Sequence, residues 1–161
     1  MEEWAHIKNI SGLDLYVNFY DHIIFEITVH KPDVETFYKL PENFEYIGNY
    51  LKDHTKQPML IEALDDLDLS WTTPFQLKLY KTLALIPCGT LISYGALAEL
   101  IGRPGAARAV GAAMTANRFS IIIPAHRVVR AGRKISGRSC MKEDPRVTLL
   151  HSEGVFDFEQ N

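Results

Sequence analysis

Apolar and polar positions alternate over Leu13, Leu15 and Val17, and His22 to Val29 is rich in β-branched and aromatic residues. This pattern predicts two neighbouring strands joined by a short polar connection, most simply a hairpin. The period then changes: from Glu42 to Leu51 the apolar positions Phe44, Ile47, Tyr50 and Leu51 recur at helical spacing. After a polar stretch, Met59 to Leu64 reads equally as a strand or a buried turn. At 65–74 (DDLDLSWTTP) acidic residues give way to Thr73 and Pro74, a capping residue before a first-turn proline. A boundary is expected there, with residues 1–73 forming a small α+β domain and 74–161 a helical one.

Three helical patterns follow, over about Pro74 to Leu85, Ser93 to Ile101 and Pro104 to Ala116. Pro87-Cys88-Gly89 separates the first two and Gly102-Arg103-Pro104 the second pair, which has the outline of a helix-turn-helix. The third helix is built almost entirely of small residues: Gly105, Ala106, Ala107, Ala109, Gly111, Ala112 and Ala113 leave Arg108 as the one charged side chain on that surface. Glycine inside a helix costs about 1 kcal/mol against alanine. Close approach to the backbone is therefore implied, by a DNA groove or by a neighbouring helix. Phe119 to Ile123 reads as a short buried strand, closed by Pro124-Ala125-His126-Arg127-Val128-Val129, which would hold His126 rigidly beside a cavity. His6, His22, His30 and His54 show no metal-ligand spacing and are read as surface or hydrogen-bonded structural residues. No metal, no cofactor and no catalytic constellation in the first half are expected.

Composition narrows the class. With 47% hydrophobic and 23% charged residues in 161, the chain has the make-up of a globular protein, not of a disordered one. No apolar run approaches the roughly 20 residues that span a bilayer, and the start, MEEWAHIKN, is acidic and polar, so a cytoplasmic (or nuclear) chain is expected. Cys88 and Cys140 are the two cysteines, too few for a disulfide framework. The net charge of −3 hides an asymmetry: residues 1–75 carry 5 Lys and Arg against 14 Asp and Glu, residues 76–161 carry 12 against 6. Between Arg103 and Arg146 eight of ten basic residues are arginine, the side chain suited to phosphate forks and base stacking. That composition points to nucleic acid.

The strings TPFQLKLYKTLALIPCGTLISYGALAELIG, GAARAVGAAMTAN, IIIPAHRVV and LLHSEGV, in this order and spacing, resemble the methylated-DNA–protein-cysteine methyltransferases (O6-alkylguanine-DNA alkyltransferases) over about residues 63 to 155. The resemblance implies an α+β fold, with a small N-terminal α/β domain of ribonuclease H-like type before a winged helix-turn-helix. It implies a monomer that binds double-stranded DNA in the minor groove, rotates O6-alkylguanine outward and takes the alkyl group onto a cysteine. Arg108 matches the family's arginine that fills the vacated stack, Tyr94 the tyrosine that presses on the target phosphate, and Asn117 the asparagine that fixes the active-site turn. His126 and Glu153 match the pair that polarises the acceptor thiol. DNA contact is expected from Tyr94, Ala107, Arg108, Gly111, Arg127, Arg138 and Ser139.

One departure changes the expected chemistry. Between Pro124 and His126, where the resemblance places the acceptor cysteine, stands Ala125, and a methyl group has neither lone pair nor ionisable proton. Two readings stay open: an alkyltransferase-like protein that binds the lesion and hands it to downstream repair factors, or a transferase whose nucleophile has been replaced. The rewritten stretch Ser136-Gly137-Arg138-Ser139-Cys140-Met141, with Arg138 where the family commonly has tyrosine, favours the first. A rival from another class is a helix-turn-helix transcription regulator reading the major groove, for which the third helix supplies a single base-reading side chain.

Overall fold

The computed structural model describes residues 1–56, 61–135, 137 and 143–160. Its first half is a three-stranded antiparallel sheet in the order β1 (Glu3–Lys8), β2 (Asp14–Tyr20), β3 (Ile23–Thr28). Ala5 lies opposite Val17, which lies opposite Ile27, so one line of apolar residues crosses the sheet. The predicted hairpin is β2–β3, turned by Asp21 at φ +52, a conformation aspartate tolerates. β1 lies outside the predicted pair because Ala5 and Ile7 are too short an alternation to stand out.

A 3-10 turn, Glu42–Phe44, leads into α1 (Glu45–Lys52), which buries Ile47, Tyr50 and Leu51. Of the ambiguous stretch from Met59 to Leu64, residues 57–60 lie outside the described part, and Ile61–Asp66 is a 3-10 helix. α2 (Pro74–Leu83) opens as predicted: Gln76 N donates to Thr73 Oγ1 at 3.1 Å and Thr73 N to Gln76 Oε1 at 2.9 Å, a reciprocal cap.

β4 (Ile92–Ser93) runs directly into α3 (Tyr94–Leu100), whose first turn is capped by Ser93 Oγ accepting from Ala96 N. α3 stops in a Schellman motif: Gly102 sits at φ +76, its N–H donates to Glu99 O and that of Arg103 to Ala98 O, both at 2.9 Å. α4 (Ala107–Ala116) then begins three residues later than its pattern predicts, because Gly105 at φ +84 still belongs to the turn.

The expected strand at Phe119–Ile123 is absent. Phe119 alone bridges β3, with Ile27 N donating to Arg118 O and Ser120 N to Ile27 O. Beyond it the chain coils through tight turns, with Ile121 at φ +73. β-branched residues here serve burial rather than a ladder, since Ile121, Ile122 and Ile123 are all buried. β5 (Val128–Val129) pairs parallel to β4, and α5 (Pro145–Ser152) starts at the Asp144 cap. A single core cluster joins Val17, Ile24 and Ile27 of the sheet to Leu79, Leu83, Val110, Phe119 and Ile123. The charge boundary near residue 73 therefore divides the sequence without dividing the core. Among the described residues no helix is long and apolar enough to cross a membrane.

Candidate functional site

Glu153 is the centre of the site, and local backbone chemistry puts it there. It is the C-cap of α5; Gly154 at φ +78 donates to His151 O (3.0 Å) and Val155 N to Leu150 O (2.9 Å), a second Schellman motif stapled by buried Leu150 and Val155. A carboxylate at a helix C-terminus faces the unfavourable end of the dipole, so it needs compensation. Five donors supply it. Oε1 accepts from Arg127 Nε (2.8 Å) and Gly89 N (3.1 Å), and Oε2 from His126 Nε2 (2.5 Å), His54 Nε2 (3.1 Å) and Arg127 Nη2 (3.2 Å).

The Glu153 side chain is wholly buried. Burial opposes its charge, but the hydrogen bonds from His126, His54 and Arg127 outweigh it and hold the carboxyl well below the usual range. Burial pushes the His126 pKa down, against the pull of Glu153, which favours the neutral ring. A neutral ring that donates Nε2–H to the carboxylate carries its lone pair on Nδ1, which is buried and has no partner among the described residues.

His126 and Ala125 border a cavity of about 110 Å³, also lined by Asn117, Ile121, Ile123 and Val29. Its wall is shaped by Asn117, the C-cap of α4: the side-chain amide donates to Ile123 O (2.9 Å) and its oxygen accepts from Phe119 N (3.0 Å), clamping the turn that carries Ala125. A larger hollow of about 350 Å³ between β1 and α1 shares no residue with this cavity. Tyr94 opens α3 directly after Ser93, whose strand partner Val129 follows the His126 turn. Arg108 is exposed on α4 beside the equally exposed Ala109 and Ala112. Among the described residues nothing stands within 4 Å of where a Gly111 side chain would begin, so packing against them does not account for that glycine.

One sequence expectation is corrected. Arg127, expected to contact DNA, is 1% exposed, with Nη1 on Ile86 O at 2.7 Å and the rest of its fork on Glu153; it neutralises the buried carboxylate instead. His54, read as a surface or hydrogen-bonded structural residue, is the second of these: it is buried, bonded to Asn9 and Glu153, with its ring 6.2 Å from that of His126. Spacing could not find it, because 99 residues separate it from Glu153. Arg138 and Ser139 lie outside the described residues. His54, His126 and Glu153 place ligand atoms within 4.8 Å of one another, a grouping that could hold a metal by distance. The guanidinium of Arg127 already occupies both carboxylate oxygens as the counter-charge, which disfavours a second cation.

Fold and site together define an α+β protein in which a small-residue helix, α4, ends at the Asn117 cap bordering a small cavity beside a buried His–Glu pair. Residues 74–155 match the profile of the 6-O-methylguanine DNA methyltransferase DNA-binding domain, and the chain belongs to that family. Methylated-DNA–protein-cysteine methyltransferases are similar in sequence: that of Shigella flexneri is 55% identical over 65 residues, 40% of this chain and 38% of the relative. That of Mycobacterium bovis is 50% identical over 72 residues, 45% of this chain and 43% of the relative. These matches span about two fifths of the relatives' own length. Among solved structures, Mycobacterium tuberculosis OGT in complex with DNA superposes with a TM-score of 0.68 at 28% identity, over 94% of this chain and 93% of that one. The O6-methylguanine-DNA methyltransferase of Pyrococcus kodakaraensis shares the fold, with a TM-score of 0.69 at 22% identity over 96% of this chain and 100% of that one.

Proposed function

We propose that this protein binds duplex DNA through α3 and α4, takes O6-alkylguanine out of the stack into the cavity beside Ala125, and holds it there without removing the alkyl group. The observation that carries this reading is the pairing of an intact His126–Glu153 relay with a cavity wall that has a methyl group where a nucleophile would stand. Family membership supports DNA binding. The exposed small-residue face of α4 suits close approach to a groove, and Arg108 is its one long side chain, able to fill the gap a rotated base leaves. Extrusion costs a few kcal/mol, and occupation of the vacated space offsets part of it. The exposed Arg103, Arg108, Arg118 and Arg130 would supply phosphate contacts without sequence preference, making affinity fall with salt.

Cys88 does not substitute for the missing nucleophile. It does not border the cavity, and burial together with the neighbouring Glu153 charge pushes its thiol pKa up, away from thiolate. The test is a titration of one duplex carrying O6-methylguanine, O6-benzylguanine or plain guanine, with the alkyl group assayed after binding. Tighter binding of both lesions, with every alkyl group still on the DNA, is expected. Stoichiometric dealkylation, or equal affinity for lesion and intact duplex, would overturn the proposal. A footprint set by undamaged sequence alone would support a regulator instead.

A further inference from the structure

The hydrogen-bond chain that ends at His126 begins in the other half of the protein. Ser11 N donates to Asn9 Oδ1 at 2.9 Å, which fixes the orientation of that buried amide. Asn9 Nδ2 must then donate, and it does so to Leu51 O (2.6 Å) and to His54 Nδ1 (3.1 Å). With Nδ1 accepting, the His54 proton sits on Nε2 and is given to Glu153 Oε2, the same oxygen that receives His126 Nε2–H. A carboxylate can only accept, so every proton position from Ser11 to His126 is dictated by its neighbour. Both histidine side chains are at most 2% exposed, so bulk solvent does not reach either ring.

From this geometry we infer that His54 is a positioning residue of the lesion pocket: anchored by Asn9, it holds Glu153 so that His126 is kept in one tautomer with Nδ1 bare. The inference rests on the lesion-binding reading for its consequence, although not for the state of the ring. The acidic first half thus acts on the cavity without lending it a polar contact. Its means is a buried imidazole that fixes a carboxylate carried on α5. Without the His54 donor, Oε2 faces His126 and the weaker Arg127 contact alone, the carboxylate gains freedom to rotate, and the His126 ring loses its fixed partner.

The experiment reads the ring and the affinity separately, on the full chain. Ring ¹⁵N shifts of His126 in DNA-free protein report its tautomer, and titration with the O6-methylguanine duplex against the plain duplex reports lesion preference. Wild type is expected to show one tautomer, protonated at Nε2. His54→Leu should mix the tautomers and lower lesion affinity by about tenfold, the low end of what outer partners of metal-bound imidazoles contribute, with plain-duplex affinity unchanged. His54→Gln, which keeps a donor, should restore both readings. Should His54→Leu fail to fold, Asn9→Ala takes its place, because freeing Nδ1 lets the His54 ring change tautomer and the His126 signals should move with it. Unmoved His126 signals in the folded variant overturn the inference. If wild type itself does not prefer the lesion, the lesion reading fails while the ring shifts still decide the role of His54.

Discussion

Replacing Glu153 by glutamine tests the energetics of the site most directly. The substitution preserves shape while removing the charge and turning one accepting oxygen into a donor. Arg127, 1% exposed, loses its counter-charge, and at least one of the five groups that now donate to Glu153 meets an N–H instead of an oxygen. Breaking a buried pair by neutralising one member costs about 3–5 kcal/mol, because the other charge is left uncompensated. At about 2–4 °C per kcal/mol for a chain of this size, the melting temperature should drop by about 6–20 °C at pH 7. Thermal melting of the wild type, Glu153→Gln and the double variant Arg127→Met/Glu153→Gln measures it. The double variant should regain much of the loss, since the stranded cation is gone.

Acid gives a second handle on the same cluster. The folded Glu153 carboxyl lies below its ordinary value of 4.5, so its contribution is present above that pH and fades below it. The His126 ring lies below its ordinary 6.5, so the unfolded chain takes up a proton that the folded ring refuses, and stability starts to fall near pH 6.5. A loss in Glu153→Gln below about 1 kcal/mol, the scale of an exposed ion pair, would refute the claim that this carboxylate organises the site.

Other consequences are checked more simply. Arg108→Ala should weaken binding to alkylated duplex far more than to single-stranded DNA, measured by fluorescence anisotropy; equal losses would exclude insertion into the stack. Ala125→Cys should restore alkyl transfer from O6-methylguanine duplex, seen as a mass gain of one CH₂ unit on the protein, because His126, Glu153 and Asn117 are already in place. Gly154→Ala meets no atom of the described residues within 4 Å, so its cost is backbone strain at φ +78, about 1–2 kcal/mol, read by thermal melting. Asn117→Ala removes both clamps on the turn that carries Ala125 and should cost about 1–3 kcal/mol together with lesion affinity.

Local chemistry is legible in the amino-acid sequence by itself. Thr73-Pro74 announces α2, the turn at Gly102 separates α3 from α4, and the small-residue composition of α4 leaves Arg108 as its one charged side chain. PAHRVV singles out His126 for the same reason, at the end of an apolar segment, whereas Glu153 is reached only through the family resemblance of HSEGV. Tertiary structure alone decides what long-range packing creates. It draws out one strand-like residue, Phe119, from a five-residue stretch with four apolar side chains, because β3 bridges that stretch at Ile27 alone and Asn117 bends the chain there. It turns Arg127 inward, where a buried carboxylate at a helix end needs a cation more than a phosphate does. It also brings Asn9 and His54 across the charge boundary to that carboxylate, a meeting set by how the sheet and α1 pack on the rest of the core and by no spacing in the sequence.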